Sequence, residues 1–255
     1  MPQVTVILPT WNRAKWMKTS IESVLSQTFQ DFELIVVDDA STDSTVEILE
    51  SYSGKIRTII MPENLGVSAA RNTAIVQSDS KWIAFLDSDD YWHAEKLEKQ
   101  IKQTRLCPEY QIHFTDEIWI RNGIRVNPKY KHRKKEGWIF KPSLALCLMA
   151  PSTVMLHREL LERHGMFDDT FPVCEDYDLW LRILASGGRA SVIPVVLGIN
   201  QESEGHLGTL DLFFCNLAHL HNDHVWKIQQ FTASKKALEK RLLAALMLRR
   251  AMTEI

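Results

Sequence analysis

Three acidic residues crowd together in residues 81–90, KWIAFLDSDD. The apolar run at 82–86 is typical of a strand buried on both faces, although its pattern also fits a fragment of a helix. Asp87, Asp89 and Asp90 follow this run directly, so their carboxylates repel one another unless solvent or a cation lies between them. Carboxylate oxygens suit Mg²⁺ or Mn²⁺, which proteins commonly bind with few side chains and the phosphates of a substrate. The alternative is a solvated turn, since Asp is a common turn residue.

The composition is that of an ordinary globular chain of 255 residues, 45% hydrophobic and 24% charged. A formal net charge of −2 provides no global field for nucleic acid, so we expect no nucleic-acid partner. No stretch approaches the roughly 20 apolar residues of a membrane span. The four cysteines are far apart and the N-terminal sequence does not resemble a signal peptide. We therefore expect a cytoplasmic protein with reduced thiols, whose membrane contact, if it has one, is peripheral at the inner face.

Strands and helices alternate through the first third of the chain. Apolar runs predict strands at 4–8, 32–37, 56–61 and 82–86. They are separated by helices at 14–27 and 66–76 and by a helix that Thr42 or Asp43 caps and that runs to about Tyr52. This alternation predicts βαβ units and a largely parallel sheet. Ligands of such sheets bind beyond the carboxyl ends of the strands. The segments PTWNR, DDAS and DSDD all follow strands, so we expect them to meet at one rim.

Each polar residue at this rim also has a structural interpretation. Trp11 either covers a strand end or stacks on a nucleobase. Asp39 either leads a helix, where the helix dipole favours an acid, or accepts from a base N–H or a ribose hydroxyl. Arg71 is either a helix-surface cation or a charge-assisted donor to a diphosphate. Their convergence on one rim favours the functional interpretation.

The second half of the chain shows a different pattern. Residues 117–126 alternate around Asn122-Gly123, a dipeptide that suits the type I′ turn of a hairpin. The basic run at 129–135, KYKHRKK, is either a solvated loop or a surface for an anionic acceptor. Further elements are predicted as helices at 94–105 and 158–164 and as strands at 111–114, 152–156 and 192–197.

Residues 167–187 form the second stretch that contains candidate catalytic residues. Apolar residues from Leu179 to Leu184 have helical spacing, which places Glu175 and Asp176 in the first turn of a helix. The helix dipole favours acids at that position for structural reasons alone. An Asp presented by a rigid helix start can also act as a general base.

The C-terminal segment combines a polar stretch with a basic helix. In QESEGHLG, residues 201–208, His206 is either a third metal ligand or a loop histidine without a role. Residues 235–255 predict a basic amphipathic helix. We expect this helix to pack on its own domain, to bind a partner such as a second copy of the chain in a homodimer, or to contact an anionic membrane surface.

These segments together resemble family 2 glycosyltransferases of the GT-A fold. The resemblance rests on VTVILPTWNR, SVLSQTFQDFELIVVDDASTDST, NLGVSAARNTAI, FLDSDDYW and CEDYDLWLRIL, which occur in the family's order over about residues 4 to 184. It implies a Rossmann-like, largely parallel sheet flanked by helices. It also implies a nucleotide-diphosphate sugar donor, expected to be UDP-linked, with Mn²⁺ or Mg²⁺. The transfer would invert the sugar configuration on a glycan, lipid-linked or protein acceptor, in surface polysaccharide or glycoconjugate synthesis.

The resemblance implies a role for each matching residue. Asp176 corresponds to the catalytic general base and Asp89 to the metal ligand, with His206 as a further metal candidate. Glu175 and Trp180 fall on the acceptor side. The implied nucleotide-sugar-binding residues are Pro9, Thr10, Trp11, Asn12, Arg13, Asp39, Arg71, Asp87 and Ser88.

The same resemblance implies a division of the chain. Residues 1–105 form the donor-binding half and 106–200 the acceptor and catalytic half of one GT-A domain, followed by a flexible loop and basic helices at 201–255. Two rival functions stay open. A sugar-nucleotide pyrophosphorylase would carry a glycine-rich loop after the first strand, and LPTWNR has no glycine. A non-catalytic nucleotide- or glycan-binding subunit would not need Asp89 and Asp176.

Overall fold

The computed structural model describes residues 1–201 except 122, 127–131 and 172. The predictions on His206, the segment 202–208 and the helix at 235–255 therefore lie outside the described residues. The described residues all belong to one compact unit. The predicted boundaries at 105 and 200 stay predictions. Within the described residues, no helix is long and apolar enough to cross a membrane.

Nine strands, seven α-helices and a short 3₁₀ helix at Pro151–Thr153 are described in this part of the chain. The strands are β1 Val4–Thr10, β2 Phe32–Asp38, β3 Arg57–Ile60, β4 Trp82–Phe85, β5 Tyr91–Trp92, β6 Ile112–Arg121, β7 Ile124–Val126, β8 Val154–His157 and β9 Ala190–Gln201. The helices are α1 Ala14–Leu25, α2 Thr45–Glu50, α3 Val67–Val76, α4 Lys96–Leu106, α5 Phe140–Ser143, α6 Arg158–His164 and α7 Glu175–Ala185. The strands form one sheet in the order β3-β2-β1-β4-β8-β6-β9-β5, with β7 paired to β6.

The sheet is parallel in its first half and mixed overall. Strand β1 pairs parallel with β2 and β4, and β2 pairs parallel with β3, as predicted. Strand β8 then pairs antiparallel with β4 and β6, while β6 and β9 are parallel. The expectation of a largely parallel sheet thus holds for the pairs up to β4 and for β6 with β9, whereas the shorter antiparallel pairs all begin after β4. Parallel neighbours need a long crossover connection, usually a helix, and the regular strand–helix alternation ends there.

Strand β1 is longer than predicted and includes Pro9 and Thr10, which we expected in a loop. The backbone carbonyl of Ile7 accepts from Leu86 N, so it points towards β4. Because alternate residues point the same way, the missing N–H of Pro9 faces the side of β1 beyond the end of β4. A proline is therefore tolerated at this position. The pairing between Thr10 and Asp38 carries both strands to the rim.

One apolar layer of the core lies between the sheet and α1. Alternate residues of β1, namely Val4, Val6 and Leu8, pack against Met17 and Ile21 and are completely buried. Full burial of such side chains contributes about 1.5–3 kcal/mol each. The rigid layer holds the carboxyl ends of β1, β2 and β4 in register.

Lys96 is an unusual component of the core. It is completely buried on α4, where its Nζ donates to Gln100 Oε1 at 2.8 Å and lies 3.9 Å from the ring centroid of Trp92. Burial lowers the pKa of Lys96 well below its ordinary value of 10.5. The amide of Gln100 in turn donates to the backbone carbonyl of Thr153 at 3.0 Å, so this amine supports the segment beside the rim.

We expect the free energy of unfolding to rise with pH between the lowered pKa of Lys96 and 10.5. The folded chain binds fewer protons than the unfolded chain in that window, which corresponds to about 1.4 kcal/mol per pH unit. Lys96→Met should lose this contribution, as measured by urea unfolding at a series of pH values. Lys99→Met, three residues along the same helix, is the control and should keep it. An unchanged slope in Lys96→Met would contradict a lowered pKa of Lys96.

Candidate active site

Arg71 connects the two halves of the site. Its side chain projects from α3 and is buried, with its guanidinium 2.7 Å from Asp87 and 2.5 Å from Glu175. Burial acts to lower the pKa of Arg71, but the charges of Asp87 and Glu175 raise it more, so the net shift is upward. The end of β4 and the start of α7 are thereby joined by a charged, doubly hydrogen-bonded link.

Asp176 follows Glu175 in the first turn of α7. Its half-buried carboxylate accepts a long hydrogen bond from the thiol of Cys147, with Sγ and Oδ2 3.9 Å apart. Burial and the neighbouring charge of Glu175 raise the pKa of Asp176 to about 7, against the opposing charge of Arg71. A carboxylate with a pKa near neutrality is suited to accept a proton from a hydroxyl group.

Backbone strain concentrates in the loops that carry the site. Among the described residues, the non-glycine positions with positive φ are Asn12 at 51°, Ala40 at 59° and Cys174 at 66°. They lie after β1, after β2 and directly before Glu175. Such conformations cost about 1–3 kcal/mol each and persist where the surroundings enforce them. The strain is thus confined to the three loops in which the sequence predicts binding and catalysis.

The three acids after β4 have different surroundings. Asp90 is buried, and its carboxylate accepts from Ser152 Oγ at 2.5 Å, Asn200 Nδ2 at 3.0 Å and Gln201 N at 2.9 Å. Burial and the charges of Asp87 and Asp89 raise the pKa of Asp90 well above its ordinary value. Asp90 therefore holds the loop in place, while the half-buried Asp87 and Asp89 remain at the rim.

The donor set at this loop fits a hard divalent cation. No group of three or more His, Cys, Asp or Glu side chains within the described residues is arranged to hold a metal. A cation here would therefore rely on Asp89, with Asp87 beside it, and on oxygens of a bound diphosphate, as Mg²⁺ sites often do. The combined negative field of Asp87 and Asp89, which raises the pKa of Asp90, is what such a cation would neutralise.

The rim that we predicted to bind a nucleotide is assembled in the structure. Trp11 is 51% exposed, as a stacking residue must be. Two buried oxygens at the adjoining strand ends, Thr10 Oγ1 and Asp38 Oδ1, have no hydrogen-bond partner among the described residues. A bound polar ligand would satisfy such groups.

Other predicted nucleotide contacts have positioning roles in the structure. Asp39 is buried, and its two oxygens accept from Leu65 N and Gly66 N at 2.8 Å each, which fixes the loop before α3. The side-chain oxygen of Asn12 accepts from Thr42 N at 2.7 Å and joins the loops after β1 and β2. The half-buried Arg13 lies beside Asn12. Ser88 is buried, and its carbonyl accepts from Ser20 Oγ at 2.8 Å. Direct contacts of these residues with a nucleotide stay predictions.

Two residues that we predicted on the acceptor side are enclosed by protein. Trp180 is 1% exposed and packs near Phe85 and Phe167, so its ring does not reach an acceptor. Its Nε1 instead donates to the Met149 carbonyl at 2.9 Å. Glu175 is buried against Arg71, since the pairing of a buried cation requires it there. Both residues position the site.

The basic run also contains a buried member. Lys134 Nζ donates to Glu117 Oε1 and to the Leu148 carbonyl, both at 2.8 Å. The side chains of Lys134 and Glu117 are 9% and 6% exposed, so this ion pair fixes the segment that bears Cys147. Sequence reasoning missed the ion pair of Lys134 with Glu117, the contact of Cys147 with Asp176 and the partners of Asp90, because no spacing rule joins residues so far apart in sequence.

The mixed sheet and its flanking helices form a GT-A fold. The chain belongs to glycosyl transferase family 2, whose model matches residues 5–164. The UDP-Glc:alpha-D-GlcNAc-diphosphoundecaprenol beta-1,3-glucosyltransferase WfaP of Escherichia coli is 32% identical over 197 residues, which cover 74% of this chain and 73% of WfaP. The chain is a glycosyltransferase, which excludes the pyrophosphorylase and the non-catalytic subunit.

Solved structures show the same fold. S. aureus TarS 1-349 in complex with UDP-GlcNAc matches with a TM-score of 0.71 and 23% identity, over 86% of this chain and 67% of that one. The mannosyltransferase PcManGT from Pyrobaculum calidifontis, in complex with GDP-Man and Mn²⁺, matches with a TM-score of 0.66 and 22% identity. That match covers 98% of this chain and 75% of PcManGT. At these identities the likeness concerns the fold.

Glu175→Gln should lower the pKa of Asp176 from about 7. The substitution removes the neighbouring negative charge and leaves Arg71, which favours the ionised carboxylate, without one of its partners. A ¹³C NMR titration of the Asp176 carboxyl group measures the change. Asp178→Asn is the matched control, because Asp178 on the same helix pairs with Arg182 at 2.8 Å. An equal shift in both variants would contradict the specific influence of Glu175.

Proposed function

We propose that this chain transfers a sugar from a nucleotide-diphosphate sugar, UDP-linked, to a hydroxyl of a lipid-linked acceptor by a metal-dependent single displacement with inversion. The observation that carries the proposal is the half-buried Asp176, whose pKa is raised to about 7 beside the link from Glu175 through Arg71 to Asp87. The names of WfaP and of the TarS complex support the acceptor and donor classes. The product would serve polysaccharide or glycoconjugate synthesis.

The donor is held by the rim in this proposal. Trp11 stacks on the base, the Thr10 hydroxyl donates to or accepts from the nucleoside, and the Asp38 carboxylate accepts from it. Asp89 would hold a Mn²⁺ or Mg²⁺ ion on the diphosphate, with Asp87 beside it. A bound cation would neutralise the negative charge that develops on the leaving nucleoside diphosphate.

The transfer itself relies on Asp176. The acceptor hydroxyl donates to this carboxylate and then attacks the anomeric carbon from the face opposite the leaving group. Asp176 takes the proton as the new glycosidic bond forms. Arg71 keeps α7 in place relative to Asp87, so the base and the donor stay in one geometry. A single displacement at the anomeric carbon inverts its configuration.

Asp89→Asn should abolish Mn²⁺- or Mg²⁺-dependent binding of a nucleoside diphosphate while the fold is kept. The amide retains the shape of the side chain but loses the charge that a hard cation needs. Calorimetry with and without chelator measures the effect. Asp79→Asn, at an exposed position away from the rim, is the control. Unchanged metal-dependent affinity in Asp89→Asn would rule out this ligand.

Asp176→Asn should lower kcat by about 10²–10⁴-fold and spare the donor Kd, because proton removal is its task. The wild-type rate should rise with pH through a midpoint near 7, as the carboxylate ionises. Transfer kinetics and donor titration measure both quantities, and NMR of the product gives its anomeric configuration.

Asp178→Asn controls for the loss of a carboxylate on α7 and should keep a kcat near that of the wild type. Near-normal turnover in Asp176→Asn would overturn the assignment of the base. A product with retained configuration would overturn the single displacement and leave the family assignment intact.

A further inference from the structure

Positive charge is concentrated in one short segment of a chain whose net charge is −2. Residues 118–135 contain seven Lys or Arg residues and no Asp or Glu, and they are bounded by Glu117 and Glu136. Lys134 is used in the buried pair with Glu117. Arg121, Arg125, Arg133 and Lys135 are exposed. This segment therefore presents a local positive field that the composition as a whole conceals.

The β6–β7 hairpin combines these cations with apolar side chains. Its register pairs Arg121 with Ile124, Ile120 with Arg125, and Trp119 with Val126. Opposite residues of a hairpin share a face, so each face carries an arginine beside an aliphatic or aromatic side chain. Ile124, next to the Gly123 turn, is 70% exposed.

One cation of the hairpin, Arg121, lies near its aromatic residue. The guanidinium of Arg121 lies 5.7 Å from the ring centroid of Trp119, which also makes an edge contact with His132 at 4.9 Å. A cation beside an aromatic ring, together with an exposed aliphatic tip, matches the chemistry of a bilayer interface. There, Arg pairs with lipid phosphates, Trp lies at the headgroup level and an aliphatic side chain enters the acyl boundary.

The hairpin lies directly beside the active-site rim. Ile120 is in register with Gln201, the residue whose amide donates to Asp90. The Arg121–Ile124 pair is one residue further along the strand, or about 3.4 Å. A bilayer at the hairpin would therefore lie next to the loop of Asp87 and Asp89, where the donor is proposed to bind.

We infer that the β6–β7 hairpin, Ile112–Arg121 with Ile124–Val126, docks this protein on an anionic lipid bilayer, with Ile124 inserted and Arg121 and Arg125 on the headgroup phosphates. The inference deepens the proposed function, since a lipid-linked acceptor is presented at such a surface. Docking on a bilayer differs from direct binding of the acceptor. In direct binding, the arginines would contact the acceptor's own phosphates, and no bilayer would be needed.

Sedimentation of the full chain with lipid vesicles tests the inference. Vesicles of phosphatidylcholine mixed with phosphatidylglycerol should bind the wild type, and vesicles of phosphatidylcholine alone should bind it far less. The double variant Arg121→Gln/Arg125→Gln should lose about 30-fold in partitioning, since each surface cation contributes about fivefold on an anionic bilayer. Lys18→Gln/Lys55→Gln removes the same charge from exposed positions elsewhere and should change binding by about twofold or less.

A second variant separates insertion from charge. Ile124→Ser should weaken binding to the anionic vesicles while its salt dependence stays that of the wild type, because both arginines remain. All hairpin variants should hydrolyse the donor at the wild-type rate, which shows that they fold. Transfer to an acceptor embedded in anionic vesicles should fall, and transfer to a soluble short-chain acceptor should not.

Three outcomes would overturn the inference. The arginine double variant could sediment like the wild type, or lose no more than the lysine control. Alternatively, its KM for the soluble diphosphate acceptor could rise while vesicle binding is unchanged, which would assign the arginines to the acceptor.

The inference and the proposed function can fail separately. If no lipid-linked acceptor is used at all but the hairpin variants still lose vesicle binding, the proposed acceptor is wrong and the bilayer surface stands.

Discussion

The structure depends on one buried cation. Arg71 is enclosed by protein and holds Asp87 at the end of a central strand and Glu175 at the start of α7, residues that are 16 and 104 positions away in sequence. Removing one partner from a buried charge pair costs about 3–5 kcal/mol, because the remaining charge is left uncompensated. The separation between the donor rim and the proposed base is thereby set by hydrogen-bond lengths rather than by loop packing.

A second hydrogen-bond network, around Asp90, holds the loop that carries Asp87. Ser152 Oγ donates to the Asp90 carboxylate and accepts from the backbone N of Asp87 at 3.0 Å, so one hydroxyl fixes this loop at two points. The last residues of β9, Asn200 and Gln201, complete the shell around Asp90. Fully satisfied polar networks of this kind rigidify a site. They leave the carboxylate of Asp89 at the rim while its neighbour Asp90 is used structurally.

Sequence periodicity predicted the elements better than their arrangement. The strand–helix alternation through β4, the turn at Gly123 and the helix beginning at Glu175 were all predicted. The mixed second half of the sheet, the two-residue β5 and the four-residue α5 were not. Short elements give no measurable period, and strand order depends on which edges remain available after the first strands have paired.

The features of the candidate site also fall into those that the sequence determined and those that depend on the tertiary structure. Residue types and local spacing alone determined that acids follow β4 and begin α7, and that Trp11 lies in a loop after β1. Only the tertiary structure decided which acids are used structurally, because burial and hydrogen-bond partners come from distant segments. It turned Asp90 and Glu175 inwards, enclosed Trp180 and raised the pKa of Asp176 to about 7. A sequence specifies which groups are present, but their charge states depend on solvent exposure and neighbours that exist only after folding.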